Sequence, residues 1–174
     1  MFNHEKPYRR GAKRKEAIAK NLIDFMESKA ALSEDSAEFI YSWVRGGRRN
    51  KTHYDIWEMV LNEYNPVSRP TLYRSCKKIK NKPSSFTGSI YCAKKFSDPG
   101  DFLIICDTER AILKCSHPGK NFHNAFFPLA ELVKKEAESP NCKFEEGIIK
   151  QVKEEDEYIM MVDLGAMYSC RWTK

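Results

Sequence analysis

Three short segments of the chain hold the residue types that can do chemistry. Arg74 lies near the end of Thr71-Leu-Tyr-Arg-Ser-Cys76, Thr87 and Ser89 belong to Ser84-Ser-Phe-Thr-Gly-Ser-Ile-Tyr91, which reads as a hydroxyl-rich turn leading into a strand, and Glu155 and Glu157 precede Tyr-Ile-Met-Met161. A guanidinium carries a planar fork of donors that grips phosphate or sugar oxygens. A carboxylate stabilises positive charge that develops in a transition state, and a second carboxylate two residues earlier on a strand shares its face and is placed to take a proton. Taken singly, each segment also has a plain reading: a surface ion-pair partner, a turn, a solvated hairpin tip. Their conjunction beside strand-like sequence is what points to a site. The commoner signatures are missing, with no G-x-S-x-G, no Walker loop, no G-x-G-x-x-G and no H-E-x-x-H.

In that order the segments resemble the Arg, Ser-x-Ser and Glu-x-Glu triad of mono-ADP-ribosyltransferases. The resemblance covers roughly residues 67–174 and is nearest to the Mod and Alt type enzymes of tailed phages, which also place a helical segment ahead of the Arg strand. Ala93 and Phe96 fit the family's Ala-x-x-Phe helix start, while Gly88-Ser-Ile-Tyr91-Cys-Ala93 and Glu157-Tyr-Ile are similar to stretches of the poly-ADP-ribose polymerase branch. The resemblance implies NAD as substrate, release of nicotinamide, and a macromolecular acceptor, protein or nucleic acid. It assigns Glu157 to the ribose 2′-hydroxyl and the oxocarbenium-like transition state, Glu155 to deprotonation of the acceptor, and Arg74 to phosphate or ribose oxygens. Ser89, with Thr87 beside it, would bond the ribose or hold the carboxylate, and Tyr91 would stack on nicotinamide. The hydroxyl motif here is Thr87-Gly88-Ser89, without the middle hydroxyl of Ser-Thr-Ser, and Glu146, also ahead of a strand-like Gly-Ile-Ile149, is a second candidate for the catalytic glutamate.

The elements that must position these residues divide at about residue 66. Apolar residues at Ile18, Leu22, Phe25 and Met26 predict a helix within Lys13–Ala30. Ser33 as N-cap, the face Phe39, Ile40, Trp43 and Val44, and the stop at Gly46-Gly47 predict a second. Thr52-x-x-Asp55, resembling a capping box, with Ile56, Met59 and Val60 inward predicts a third to Tyr64, ended by Asn65-Pro66. Beyond Pro70 the reading is a strand over Thr71–Cys76, a Lys-rich loop through Pro83, a hairpin of Phe102–Cys106 with Ala111–Cys115, and a helix around Pro128–Glu138. It ends with strands over Gly147–Val152, Glu157–Leu164 and near Met167–Trp172. The fold class expected is α+β: a helical N-terminal region, 1–66, followed by an antiparallel split β-sheet core of the ADP-ribosyltransferase kind, 67–174.

Composition bounds the rest. With 174 residues, 41% apolar and 12% aromatic, the chain can build a core without disulfide staples. Its longest apolar runs fall far below the roughly 18 residues a membrane helix needs. The polar, basic start, lacking an apolar stretch behind it, argues against a secretory signal, and a cytoplasmic protein, in the host cytoplasm if phage-encoded, is expected. Residues 1–83 carry 18 Lys and Arg against 10 Asp and Glu, while residues 84–174 carry 12 against 14. A basic first half suits a polyanion, and the competing class is a non-catalytic nucleic-acid-binding protein using Tyr8, Trp43, Tyr54 and Trp57 to stack. An inactive transferase-like fold acting as an inhibitor is a third. The six cysteines lack the close pairs of a zinc site and are expected reduced and buried, no metal is expected, and the four histidines are expected at the surface.

Overall fold

A computed structural model describes residues 11–46, 51–109, 125–162 and 167–173. The first three helices are α1 (Ala12–Met26), α2 (Glu34–Arg45) and α3 (Lys51–Glu63). Ile18, Leu22 and Phe25 of α1 are buried on one stripe, as the 3.6-residue period requires. Ser33 caps α2 by accepting the Ser36 N–H at 3.2 Å, with Glu34 and Asp35 in the first turn, where the helix dipole favours them. At the other end a Cβ on Gly46 would lie 2.3 Å from the Ser42 carbonyl oxygen, so only glycine lets the chain leave the helix there. Helix α3 starts at Lys51, which puts Thr52 inside the first turn and not at a capping position. Asp55 is engaged elsewhere, accepting Lys15 Nζ of α1 at 2.8 Å and clamping the two helices together.

The remainder alternates strands and helices: β1 (Thr71–Cys76), β2 (Pro83–Thr87), α4 (Ile90–Lys95), β3 (Phe102–Asp107), β4 (Phe126–Phe127), α5 (Leu129–Ala137), α6 (Glu146–Glu155), β5 (Glu157–Met161) and β6 (Tyr168–Arg171). The strands form one six-stranded sheet in the order β4-β5-β2-β1-β3-β6, with every registered pair antiparallel. β3 takes β1 and β6 as its neighbours, and the hairpin arm expected at Ala111–Cys115 lies outside the described residues. Two expectations are corrected here. Gly147–Val152 is helix, because Ile148 and Val152, four apart, fall on one buried face of α6. The hydroxyl-rich segment is strand β2 followed by helix α4, where a turn leading into a strand was expected.

Strand alternation divides the interior into two layers. On one face Phe127 and Ile159 join Trp43, Trp57, Leu132, Val133 and Ile148 in a cluster built from α1, α2, α3, α5 and α6. On the other, Leu72, Phe86, Ile104, Phe126 and Met160 form a second cluster. The larger cluster runs across residue 66, so the helical region and the sheet share a core. Lys135 of α5 reinforces this by donating to the Phe25 and Met26 carbonyls at 2.5 and 3.2 Å, satisfying the C-terminal end of α1 from outside. Among the described residues, no helix is long and apolar enough to cross a membrane.

Candidate active site

The sheet consists of two three-stranded halves joined at β1 and β2. β1 is in register with β3 from Thr71 opposite Asp107 to Cys76 opposite Phe102, and β2 with β5 from Pro83 opposite Met161 to Thr87 opposite Glu157. Between the halves the register is carried by Tyr73 opposite Thr87. Where the strands part, Arg74 donates from its guanidinium to the Ser85 carbonyl at 2.6 Å and ties them together. A cavity of about 240 Å³ opens at this point, lined by Arg74, Ser85, Thr87, Glu155 and Glu157, with Ala93 and Phe96 of the α4 segment forming one wall.

Glu157 is the centre of the arrangement. It is only 2% exposed, and its Oε1 accepts both the Ser85 hydroxyl at 2.5 Å and the Trp43 indole N–H at 3.1 Å. A carboxylate withdrawn from water needs such donors, since burying the charge without them costs several kcal/mol, on the order of 2–7 even for a neutral polar group. Ser85 can reach it because β2 and β5 are antiparallel: Thr87 faces Glu157 directly, and Ser85, two residues back, is its diagonal neighbour on the same face.

Glu155 shares the cavity by a route other than strand alternation. It is the last residue of α6, Asp156 turns the chain in the left-handed conformation (φ 45°, ψ 58°), and Glu157 begins β5. The two carboxylates therefore meet across a helix-to-strand corner, and the expectation that they share a strand face is corrected. Gln151 donates to Glu155 Oε1 at 3.3 Å, one turn back along α6.

The residue between them explains the glycine in the hydroxyl motif. A Cβ on Gly88 would lie 2.3 Å from Asp156 Oδ2, so the carboxylate of Asp156 occupies the space a middle hydroxyl residue would need. The Gly88 N–H also donates to the Asp156 carbonyl at 3.3 Å. Burial raises the Asp156 carboxyl above its ordinary value, opposed by hydrogen bonds from the Tyr158 hydroxyl and the Gly88 N–H. Burial and the neighbouring Asp156 charge push the Tyr158 phenol up to about 12 from 10. A folded-state value above the unfolded one means that stability is intact below pH 10 and lost as pH rises toward 12. Tyr158→Phe should accordingly show a flatter fall in melting temperature between pH 10 and 12 than the parent; parallel curves would contradict the assignment.

Of the residues expected from sequence, Arg74, Thr87, Glu155 and Glu157 line one cavity, and Ser89 and Tyr91 are not among its lining residues. Ser89 is the N-cap of α4, its hydroxyl accepting the Cys92 N–H at 3.3 Å, and Thr87 Oγ1 in turn accepts the Ser89 N–H at 3.1 Å. Tyr91 projects from α4 with 80% of its surface exposed. Ser85 was missed. The signal was present, since Ser85-x-Thr87 is a pair of hydroxyls at strand spacing, whereas Ser89 lies beyond the strand end. For the NAD cleavage that the resemblance implies, Ser85→Ala should lower turnover by about 10-fold to 100-fold, as loss of a donor to a charged group does. Ser89→Ala should leave turnover nearly intact while costing about 1 kcal/mol of stability through the lost cap. The reverse pattern, from kinetics and thermal melts, would restore the Ser89 assignment.

Glu146 lies exposed in the first turn of α6, outside the cavity lining. The histidine reading is corrected for His53, which is 3% exposed, shares a 2.9 Å hydrogen bond with Ser42 and packs against Phe39 and Trp43; the other histidines lie outside the described residues. Trp43 and Trp57 are fully buried and unavailable for stacking on a nucleic acid, and the Tyr54 hydroxyl accepts Lys82 Nζ at 2.7 Å. Tyr8 lies outside the described residues. Cys92 and Cys106 are buried as expected, but Cys142 and Cys170 are exposed, because Cys142 sits in the connection before α6 and Cys170 on β6, a strand at the sheet edge. Among the described residues, no group of three or more His, Cys, Asp or Glu is placed to hold a metal ion. No protein-family model, curated protein or solved structure matches the chain.

Proposed function

We propose that the protein is a mono-ADP-ribosyltransferase that cleaves NAD and transfers ADP-ribose to a macromolecular acceptor, a protein side chain in the favoured case. The observation that carries this reading is the meeting of Arg74 and Ser85 with Glu157, 72 residues beyond Ser85, around one cavity where the sheet splits. The sequence-based resemblance asks for a guanidinium, a hydroxyl and a carboxylate in that order, and a split antiparallel core. The geometry supports it with one change of residue, Ser85 for Ser89.

The proposed chemistry follows from the charges involved. The bond between nicotinamide nitrogen and ribose C1′ breaks with its electron pair going to the ring, so nicotinamide leaves neutral and positive charge develops on the ribose. Glu157, buried and anchored, stabilises that charge and bonds the 2′-hydroxyl. Arg74 lies at the cavity wall with donors for the anionic pyrophosphate or ribose oxygens. The acceptor attacks C1′, and Glu155 takes its proton. A cavity of about 240 Å³ is smaller than the ~300–1,000 Å³ of sites that enclose a whole small molecule, and it suits the nicotinamide-ribose end of the dinucleotide.

The test is incubation of the purified chain with NAD labelled on the adenylate, in separate protein and RNA pools, with nicotinamide release followed in parallel. Label appearing in the protein pool with stoichiometric nicotinamide supports the reading. Label confined to RNA would move the acceptor class, and neither label nor nicotinamide release overturns the proposal.

A further inference from the structure

The hydrogen bond between the N-terminal helical region and the carboxylate at the site is not needed for the triad, and it asks for an explanation. Trp43 is on α2, 114 residues before Glu157, yet its indole N–H donates to Glu157 Oε1 at 3.1 Å while the whole side chain is removed from solvent. Its ring is fixed on two sides: Trp57 meets it edge-on at 5.6 Å and 75°, and His53 tilts against it at 6.1 Å. His53 is itself held by Ser42, the residue before Trp43. The donor therefore sits on a braced platform inside the larger hydrophobic cluster.

We infer that Trp43 is a positioning residue for Glu157, and that the helical region is for this reason an integral part of the active site. The inference rests on the transferase reading. The physical argument is one of geometry. Glu157 has three rotatable side-chain bonds, and each donor that fixes one of its oxygens narrows the orientations the carboxylate can take. Two donors on the same oxygen, one from β2 and one from α2, fix Oε1 from two directions and set the orientation of the carboxylate toward the cavity. Preorganised charge is what accelerates formation of an oxocarbenium-like state, because no reorganisation is then needed as the charge develops. Trp57, although its own buried Nε1 has no hydrogen-bond partner among the described residues, braces Trp43 and makes no hydrogen bond to the carboxylate, so the role belongs to position 43.

The experiment uses the full chain and follows nicotinamide release from NAD with water or protein as acceptor. Parent, Glu157→Gln, Trp43→Phe, and a Trp43 variant carrying benzothienylalanine are compared; the last keeps the bicyclic volume and replaces the N–H by sulfur. The expected result is a fall in kcat of about tenfold or more for both Trp43 variants, with KM for NAD changed less than about threefold. The benzothienyl variant should retain the parent's melting temperature. Trp43→Phe combined with Ser85→Ala should cost less than the product of the single effects, since both act through one oxygen. Parent-like kcat in the benzothienyl variant, while Glu157→Gln is inactive, overturns the inference and leaves the transferase reading standing. A parent chain that releases no nicotinamide overturns both.

Discussion

Glu157→Gln is expected to lower NAD cleavage by about 10²- to 10³-fold while leaving the fold in place. Gln is isosteric, and its side-chain oxygen can accept the Ser85 hydroxyl and the Trp43 N–H as the carboxylate does. What is lost is the negative charge that the proposed cleavage places opposite a developing oxocarbenium, so the effect should fall on kcat and hardly on the melting temperature. Glu146→Gln is the matched control, because Glu146 is exposed at the start of α6 and is not among the residues lining the cavity. Initial rates of nicotinamide release and thermal melts of the two variants decide the matter. An inactive Glu146→Gln beside an active Glu157→Gln would reassign the catalytic carboxylate.

Arg74→Lys is expected to cost about tenfold or more in kcat/KM for NAD, and Arg74→Ala more. The guanidinium is asked to do two things at once. One arm holds the Ser85 carbonyl across the point where β1 and β2 separate, and in the proposed function the same planar fork meets anionic oxygens at the cavity wall. A lysine ammonium is a single point donor and cannot span both directions. The loss should appear mainly in KM, because gripping pyrophosphate or ribose oxygens contributes to ground-state binding as well as to the transition state. Steady-state kinetics with NAD as the varied substrate provide the measurement, and an unchanged KM in Arg74→Ala would remove Arg74 from the binding assignment.

The three N-terminal helices, strand β1 and the helix after Pro128 follow from local sequence. Ile18, Leu22 and Phe25 repeat at helical spacing, Ser33 supplies a cap, and Pro66 and Pro70 end one pattern before the strand at Thr71 begins. The order guanidinium, hydroxyl, carboxylate pair is equally a property of the linear chain. Tertiary structure decided which groups meet. Ile148, Ile149 and Val152 satisfy a strand or a helix until packing on Trp43's cluster selects the helix, and that choice turns Glu155 and Glu157 into a corner. Ser85 rather than Ser89 reaches Glu157 because antiparallel register, which depends on a strand whose Glu157 lies 72 residues beyond Ser85, sets which hydroxyls face the carboxylate. Trp43 reads as a core residue by its spacing, and so it is; that its one polar atom points at Glu157 is a consequence of how α2 lies across the sheet. Periodicity encodes which face of an element is buried, but not which buried atom will stand opposite it, since that depends on contacts between segments whose separation no local pattern records.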